Sequence, residues 1–283
     1  MDASSETLLL LKLSLVPALI LAASYVGIRW GPAVSGWVIS LPLTSGPVLF
    51  FLAVEQGDAF AAQASDGVIL GLASITAFAI AYVWLAGRRP GGAWSYPMLF
   101  GWGAFFLATF LLDGVALPAA VSFVGVILFW VFAIRILPKP DMALPPKQSA
   151  NRWEVVIRVV AATALVLFIT EASTALGPYL SGLLTPFPVY VSVLSASVYR
   201  LQGAASAVQL VRGTTLGLFT PAVFSLIVAT TIMGLGVGVS FGFAILASLP
   251  SHWFILRFLR GTQAMGDEGK GKSRAHSQHN ITN

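Results

Sequence analysis

The chain has 283 residues, of which 57% are hydrophobic and only 10% charged, with a mean hydropathy of +0.85. A soluble domain carries about 25% charged residues, so this composition cannot furnish a water-facing surface. The net charge of +5 and the pI near 9.7 do not point to nucleic acid, because most basic residues sit in short loops and a tail beside apolar runs, where membrane orientation accounts for them.

Apolar stretches bounded by charge, Gly or Pro predict nine helices, near 7–29, 33–54, 66–87, 97–113, 116–137, 154–176, 179–200, 213–234 and 237–258. Most are about as long as a ~30 Å hydrocarbon core requires. The start, Met1-Asp2-Ala3-Ser4-Ser5-Glu6, is acidic where a secretory signal would be basic. Ala22-Ala23-Ser24 therefore does not read as a cleavage site, and 7–29 is expected to be a retained span. The Pro-rich connection 138–153 separates two halves, and the polar tail from Gly261 to Asn283 is expected to be disordered. Asn280-Ile281-Thr282 matches a glycosylation triplet at that terminus and reads as chance.

Nine spans put the termini on opposite sides. With the basic tail in the cytoplasm, fifteen of the sixteen basic residues lie at cytoplasmic ends and only Lys12 lies outside. An even number of helices would scatter these charges. The expected location is a bacterial-type inner membrane, multi-pass, with the N-terminus outside and the C-terminus cytoplasmic.

The first half is repeated in the second. Gly31-Pro32 and Ser35-Gly36 recur as Gly177-Pro178 and Ser181-Gly182, 146 residues later. At that offset Pro42 falls on Pro188, Gln56-Gly57 on Gln202-Gly203, Gly67 on Gly213 and Leu70-Gly71-Leu72 on Leu216-Gly217-Leu218. Fifteen of the 48 positions from Gly31 to Phe78 are identical, more than shared apolar composition gives. With nine spans the two copies cross the membrane in opposite directions. Asp66 and Arg212 share a repeat position with opposite charge, as opposite loop bias would require. The expected fold is an all-α polytopic membrane protein with an inverted-topology repeat of four, one and four helices. Residues 1–115 form the first repeat, 116–153 a linking helix and cytoplasmic loop, 154–260 the second repeat and 261–283 the tail.

Inverted repeats with broken helices near the midplane are a recurring plan of secondary transporters. Proline removes a backbone donor and clashes with the preceding turn, so the second helix of each copy should kink or open at Pro42 and Pro188. Freed carbonyls in hydrocarbon must be satisfied by neighbours or by water in a cavity. Ser40, Pro42, Thr44 and Ser45 at the first break, and Thr185, Pro186, Pro188, Tyr190 and Ser192 at the second, are the candidate substrate-binding residues. The competing reading is that these hydroxyls repair ordinary proline kinks. Gly67–Gly71 and Gly213–Gly217 have the small-residue spacing of helix contacts. Gly234, Gly236 and Gly238 mark a hinge or a tight turn. Glu171, about a turn from a helix end, is the candidate for ion or proton coupling, with contact to outer water as the simpler alternative. Asp113 reads as interfacial, His252 as a packing residue, and Trp30, Trp84, Trp94, Trp130 and Trp153 as an aromatic belt.

There is no cysteine, and no His/Cys/Asp/Glu cluster at metal-ligand spacing, phosphate loop or nucleophile elbow stands in the sequence. No enzyme activity, metal or cofactor is expected. The repeat unit, with Ser-Gly before a Pro-broken helix and Glu55-Gln56-Gly57-Asp58-Ala59 leading into the next, resembles the small GlpM-type inner-membrane proteins over the first three helices of each half. That resemblance implies architecture and no substrate, and this chain departs from it in being a tandem with an extra helix. The expected function is secondary transport of a small neutral, weakly polar or lipid-like substrate; the alternative is a non-transporting scaffold or assembly factor. Expected partners are the lipid bilayer, a small-molecule substrate and, as an open alternative, further copies of the chain; nucleic acid is not expected.

Overall fold

The computed structural model of the chain describes residues 3–30, 42–89, 91–115, 117–137 and 152–279, with backbone alone at 3–5, 24, 26–30, 152, 249 and 251–279. Every element among them is a helix: α1 (Ala3–Trp30), α2 (Ser45–Gln56), α3 (Asp58–Arg88), α4 (Ser95–Leu112), α5 (Ala119–Ile136), α6 (Arg152–Leu184), α7 (Val189–Gln202), α8 (Ala204–Leu216) and α9 (Phe219–His279). Six stretches are long and apolar enough to cross a membrane: Glu6–Ala23, Asp58–Arg88, Ser95–Leu112, Ala119–Ile136, Trp153–Leu184 and Ala204–Ser248. The chain is in this sense a membrane protein.

The helices α2 and α7, of 12 and 14 residues, are about 18 and 21 Å long at 1.5 Å per residue, too short to cross alone. The expected continuous helix 179–200 is thus two pieces, separated at Thr185-Pro186-Phe187-Pro188. Pro186 and Pro188 have no N–H to continue the helical ladder, and Thr185 and Phe187 close the turn by bonding to the Gly182 and Leu184 carbonyls. Of the expected 33–54, the described part is the Pro42 turn followed by α2. The expected pairs 154–176/179–200 and 213–234/237–258 are joined by Gly177 and Gly236, whose φ of +75° and +71° turn the backbone inside α6 and α9. Only glycine takes that conformation without strain.

One further expectation is corrected. The predicted helix 213–234 is interrupted at Gly217-Leu218, because Pro221 stands in the first turn of α9 and cannot donate to the carbonyl four residues back. Its repeat equivalent is Ile75, and α3 runs through without interruption there. The tail expected beyond Gly261 is helical in continuation of α9 as far as His279. The connection 138–151, residues 31–41 and the triplet at Asn280 lie outside the described residues, as does the side chain of His252.

Repeat-equivalent positions share backbone conformation. Gly57 has φ 90°, ψ 169° and Gly203 has φ 87°, ψ 175°. Each closes a short helix ending in Gln56 or Gln202 and opens the next at Asp58 or Ala204.

Helix α3 is the centre. It contributes to all three apolar clusters, and 61% of it is buried, against 17–33% for the other spanning stretches. Its small residues admit α6 closely. A Cβ on Gly67 would run into the Tyr179 carbonyl and lie 3.1 Å from Gly182 Cα, and one on Gly71 would lie 2.6 Å from the Leu183 carbonyl. The packing role expected of Gly67–Gly71 therefore has a partner, whereas Gly213 faces open space. The outer helices present Leu99, Phe106, Phe110, Leu128 and Phe132 outward, each half or more exposed. Such a surface is stable against lipid and not against water. Trp84, Trp94 and Trp153 are also exposed. Trp130 is not part of a belt: it is buried and donates to the Thr215 carbonyl at 2.7 Å.

Helices α1 and α6 pack together with Lys12 beside Glu171. One and two turns further along α1, Val16 and Ile20 share a core with Val166 and Ala162, which lie earlier on α6. The two helices run in opposite directions.

Candidate functional site

The two proline breaks meet. A cavity of about 110 Å³ is lined by Pro42, Thr44 and Ser45 from the first, and by Pro186, Pro188 and Tyr190 from the second. Its remaining wall comes from Leu72 and Ile75 of α3, Phe187 and Val191, and the α8–α9 turn with Thr214, Gly217, Leu218 and Pro221. At about 30 Å³ per water it holds three or four waters or one solute of comparable size. No lining residue carries a charge. The α8–α9 interruption was not read from the sequence, although Pro221 inside an apolar run was its signal. A larger groove of about 290 Å³ between α3, α4 and α5 is walled by Ala77, Ile80, Ala81, Trp84, Phe100 and Phe129 alone, and offers no polar group for recognition.

Not every candidate residue faces this space. Thr185 is fully buried and donates to the Ser181 carbonyl at 2.7 Å, repairing the helix end before the break. Ser192 accepts from Trp102 Nε1 at 2.9 Å, which ties α7 to α4. Neither lines the cavity, and Ser40 lies outside the described residues. Thr44, Ser45 and Tyr190 remain as polar lining from the two expected breaks, with Thr214 added from α8.

Each repeat also buries one cation near its first helix, a feature the charge-bias reading passed over. Lys12 and Arg158 are 146 residues apart, the repeat offset, and are 2% and 6% exposed. Lys12 Nζ lies 2.7 Å from Glu55 at the end of α2 and 3.1 Å from Glu171 of α6, and over the Phe51 ring. Gln56 Nε2 adds a bond to Ser173 Oγ at 3.2 Å. Arg158 pairs with Glu154, donates to the Tyr190 phenol at 2.8 Å and covers its ring. Ser197 completes this group with a 3.1 Å bond to Glu154. So each buried cation fastens the short helix of its own repeat, α2 or α7, to the surrounding bundle. Subtracting the repeat offset from Arg158 would have revealed the pair. The first helices share little else, and the alignment was anchored from Gly31 onward.

Glu171 is 70% exposed despite its bond to Lys12, whereas Glu55 is 18% exposed. The inward carboxylate of this group is therefore Glu55. Among the described residues no three His, Asp or Glu side chains gather as metal ligands. No protein-family model, curated protein or solved structure is similar to the chain.

Proposed function

We propose that the protein is a secondary transporter that moves a small, neutral or weakly polar solute by alternating access at the cavity between the two proline breaks. The observation that carries this reading is the lining itself: Pro42, Thr44 and Ser45 from one repeat and Pro186, Pro188 and Tyr190 from the other bound one polar-dotted space in an otherwise apolar bundle. Discontinuous helices at the interface of two repeats are where such transporters hold their substrate.

The proposed topology is nine crossings, with α2 and α7 each forming part of one, and the second repeat inverted. The opposed course of α1 and α6, which are repeat mates, supports that inversion. So does the placement of Lys12 and Arg158. Thirteen residues of helix, about 20 Å, separate Arg158 from Glu171, which lies beside Lys12. The two buried cations thus sit toward opposite ends of the same helix pair. In this reading the charge groups act at alternate ends, Glu171 and Glu55 with Lys12 at one and Glu154 with Arg158 at the other. The location is an inner membrane of bacterial type, N-terminus outside, and the likeness to GlpM-type proteins belongs to this same proposal.

Because the chain has no cysteine, Thr44→Cys can be probed directly with a membrane-impermeant thiol reagent. Transport predicts labelling from either side of the membrane under different conditions, with Thr185→Cys as the dry control. A scaffold would keep Thr44→Cys unreactive from both sides in every condition, and that result overturns the proposal. Reporters at Ala62 and Val208 test the inversion, since inverted copies put them on opposite faces.

A further inference from the structure

We propose that the cavity recognises a compact anion of single charge and about three or four heavy atoms, held by hydrogen-bond donors and not by a counter-charged side chain. The inference rests on the reading of this cavity as the solute site, and it replaces the neutral solute of that reading with a small anion.

Two short helices begin at the cavity, α2 at Ser45 and α7 at Val189, and they are repeat mates. The first turn of a helix leaves amide donors without intrahelical partners and concentrates a partial positive charge of about half a unit. At α2 the Gly46 and Val48 amides are taken by the Pro42 and Thr44 carbonyls and Pro47 has no N–H, so the free amides are those of α7. At α7, Ser192 N donates to the Pro188 carbonyl and Val189 N to the Phe187 carbonyl. The amides of Tyr190 and Val191, both lining residues, have no acceptor among the described residues.

The side chains independently point the same way. Ser45 is 4% exposed, lines the cavity, and has no hydrogen-bond partner among the described residues. Its hydroxyl faces the cavity with a proton to give to whatever occupies it. Tyr190 already accepts from Arg158 at 2.8 Å, so its phenol has its proton left to offer. Arg158, 4.9 Å from the ring centroid, lies behind that wall paired with Glu154. Thr214 spends its own proton on the Val211 carbonyl at 2.8 Å. No carboxylate lines the space to repel a negative ligand. The Tyr190 and Val191 amides, the Ser45 hydroxyl and the Tyr190 phenol are donors, and an anion is a ligand that satisfies several donors at once.

Size limits the choice. A volume of about 110 Å³ admits an ion such as formate and excludes a sugar acid. The test uses the full chain in detergent with sodium formate and with formamide, its uncharged analogue of equal heavy-atom count, at an ionic strength held constant with sodium gluconate. Formate is expected to raise the melting temperature saturably through mass action on the folded state, and formamide to bind at least about tenfold more weakly. Ser45→Ala and Tyr190→Phe are each expected to weaken formate binding by about tenfold, the loss of one charge-assisted hydrogen bond. Two variants on different helices guard against one that fails to fold. Equal shifts with formamide and formate would overturn the anion and leave the transport reading standing. So would the lack of any shift in a protein whose Thr44→Cys still labels. Formate binding that both variants leave untouched would place the ion elsewhere and overturn the inference as well. An unreactive Thr44→Cys defeats the solute-site reading itself, which separates the two failures.

Discussion

Replacing Lys12 by methionine should be the most destabilising single charge removal in the chain's first half. Lys12 is 2% exposed and its ammonium meets Glu55 at 2.7 Å and Glu171 at 3.1 Å. Methionine keeps the apolar stem against Phe51 but leaves Glu55, 18% exposed, without its cation. Breaking a buried pair by deleting one partner costs about 3–5 kcal/mol, because the orphaned charge stays desolvated. Partial water access to Glu55 and the freedom of Glu171, 70% exposed, bring the expectation down to about 2–3 kcal/mol. Glu171→Gln, which removes an exposed partner only, should cost no more than about 1 kcal/mol. Glu55→Gln should fall between the two, since Lys12 keeps Glu171. The assay is chemical unfolding of the detergent-solubilised protein followed by tryptophan fluorescence, with Lys12→Met and Glu55→Gln combined as a double-mutant cycle. The double variant should be less destabilised than the two losses added together, because no buried carboxylate is then left orphaned and Glu171 is exposed. An outcome in which Glu171→Gln costs as much as Lys12→Met, or in which the double variant is simply additive, would refute the account of Glu55 as the buried member.

The glycines give sharper contrasts. Gly67→Ala should cost more than about 2 kcal/mol, since its Cβ meets backbone on α6 that cannot step aside, while its repeat mate Gly213→Ala, facing open space, should stay within about 0.5 kcal/mol; paired unfolding curves decide it. Gly57→Ala and Gly203→Ala should each cost about 1–2 kcal/mol and nearly the same amount, because both positions hold φ close to +90° with nothing crowding the missing Cβ. A large difference between those two in the same unfolding assay would mean that something other than backbone conformation sets the penalty.

What could be read from residue order was whatever is fixed locally. Proline lacks an N–H wherever it stands, so the break at Pro186 and Pro188 was legible, and so was the Pro42 turn. The repeated Gln-Gly pair makes the same positive-φ turn in each copy, at Gly57 and Gly203. Composition alone required a lipid-facing surface, and the outward leucines and phenylalanines of α4 and α5 supply it. Pro221 shows how one local signal hides. Surrounded by apolar residues, it read as part of a span, yet in the first turn of α9 it forces an interruption that its mate Ile75 does not. The side-chain assignments fared less evenly, because hydroxyls near a broken helix have two uses. Thr185 turns back to its own carbonyl ladder, while Ser45 is left facing the cavity, and nothing in the local sequence separates those outcomes.

Charge was the least legible property, for a reason that bears on mechanism. Loop bias treats a basic residue near a helix end as a topological marker, and on that basis Lys12 and Arg158 belong to opposite sides for unrelated reasons. In the bundle both are buried, both are paired, and both bind the short helix of their own copy. The cation at this repeat position is an ammonium in one copy and a guanidinium in the other, so the charge recurs and the contact does not. The partners differ accordingly. Lys12 joins two carboxylates from other helices, whereas Arg158 holds one carboxylate on its own helix and the phenol at the cavity wall. The arrangement is symmetric in position and asymmetric in connection: only the Arg158 group touches a cavity-lining side chain directly. Under the proposed transport reading, motion of α7 at the Arg158 end reaches the cavity through Tyr190, whereas the Lys12 group, among the described residues, touches no cavity-lining side chain.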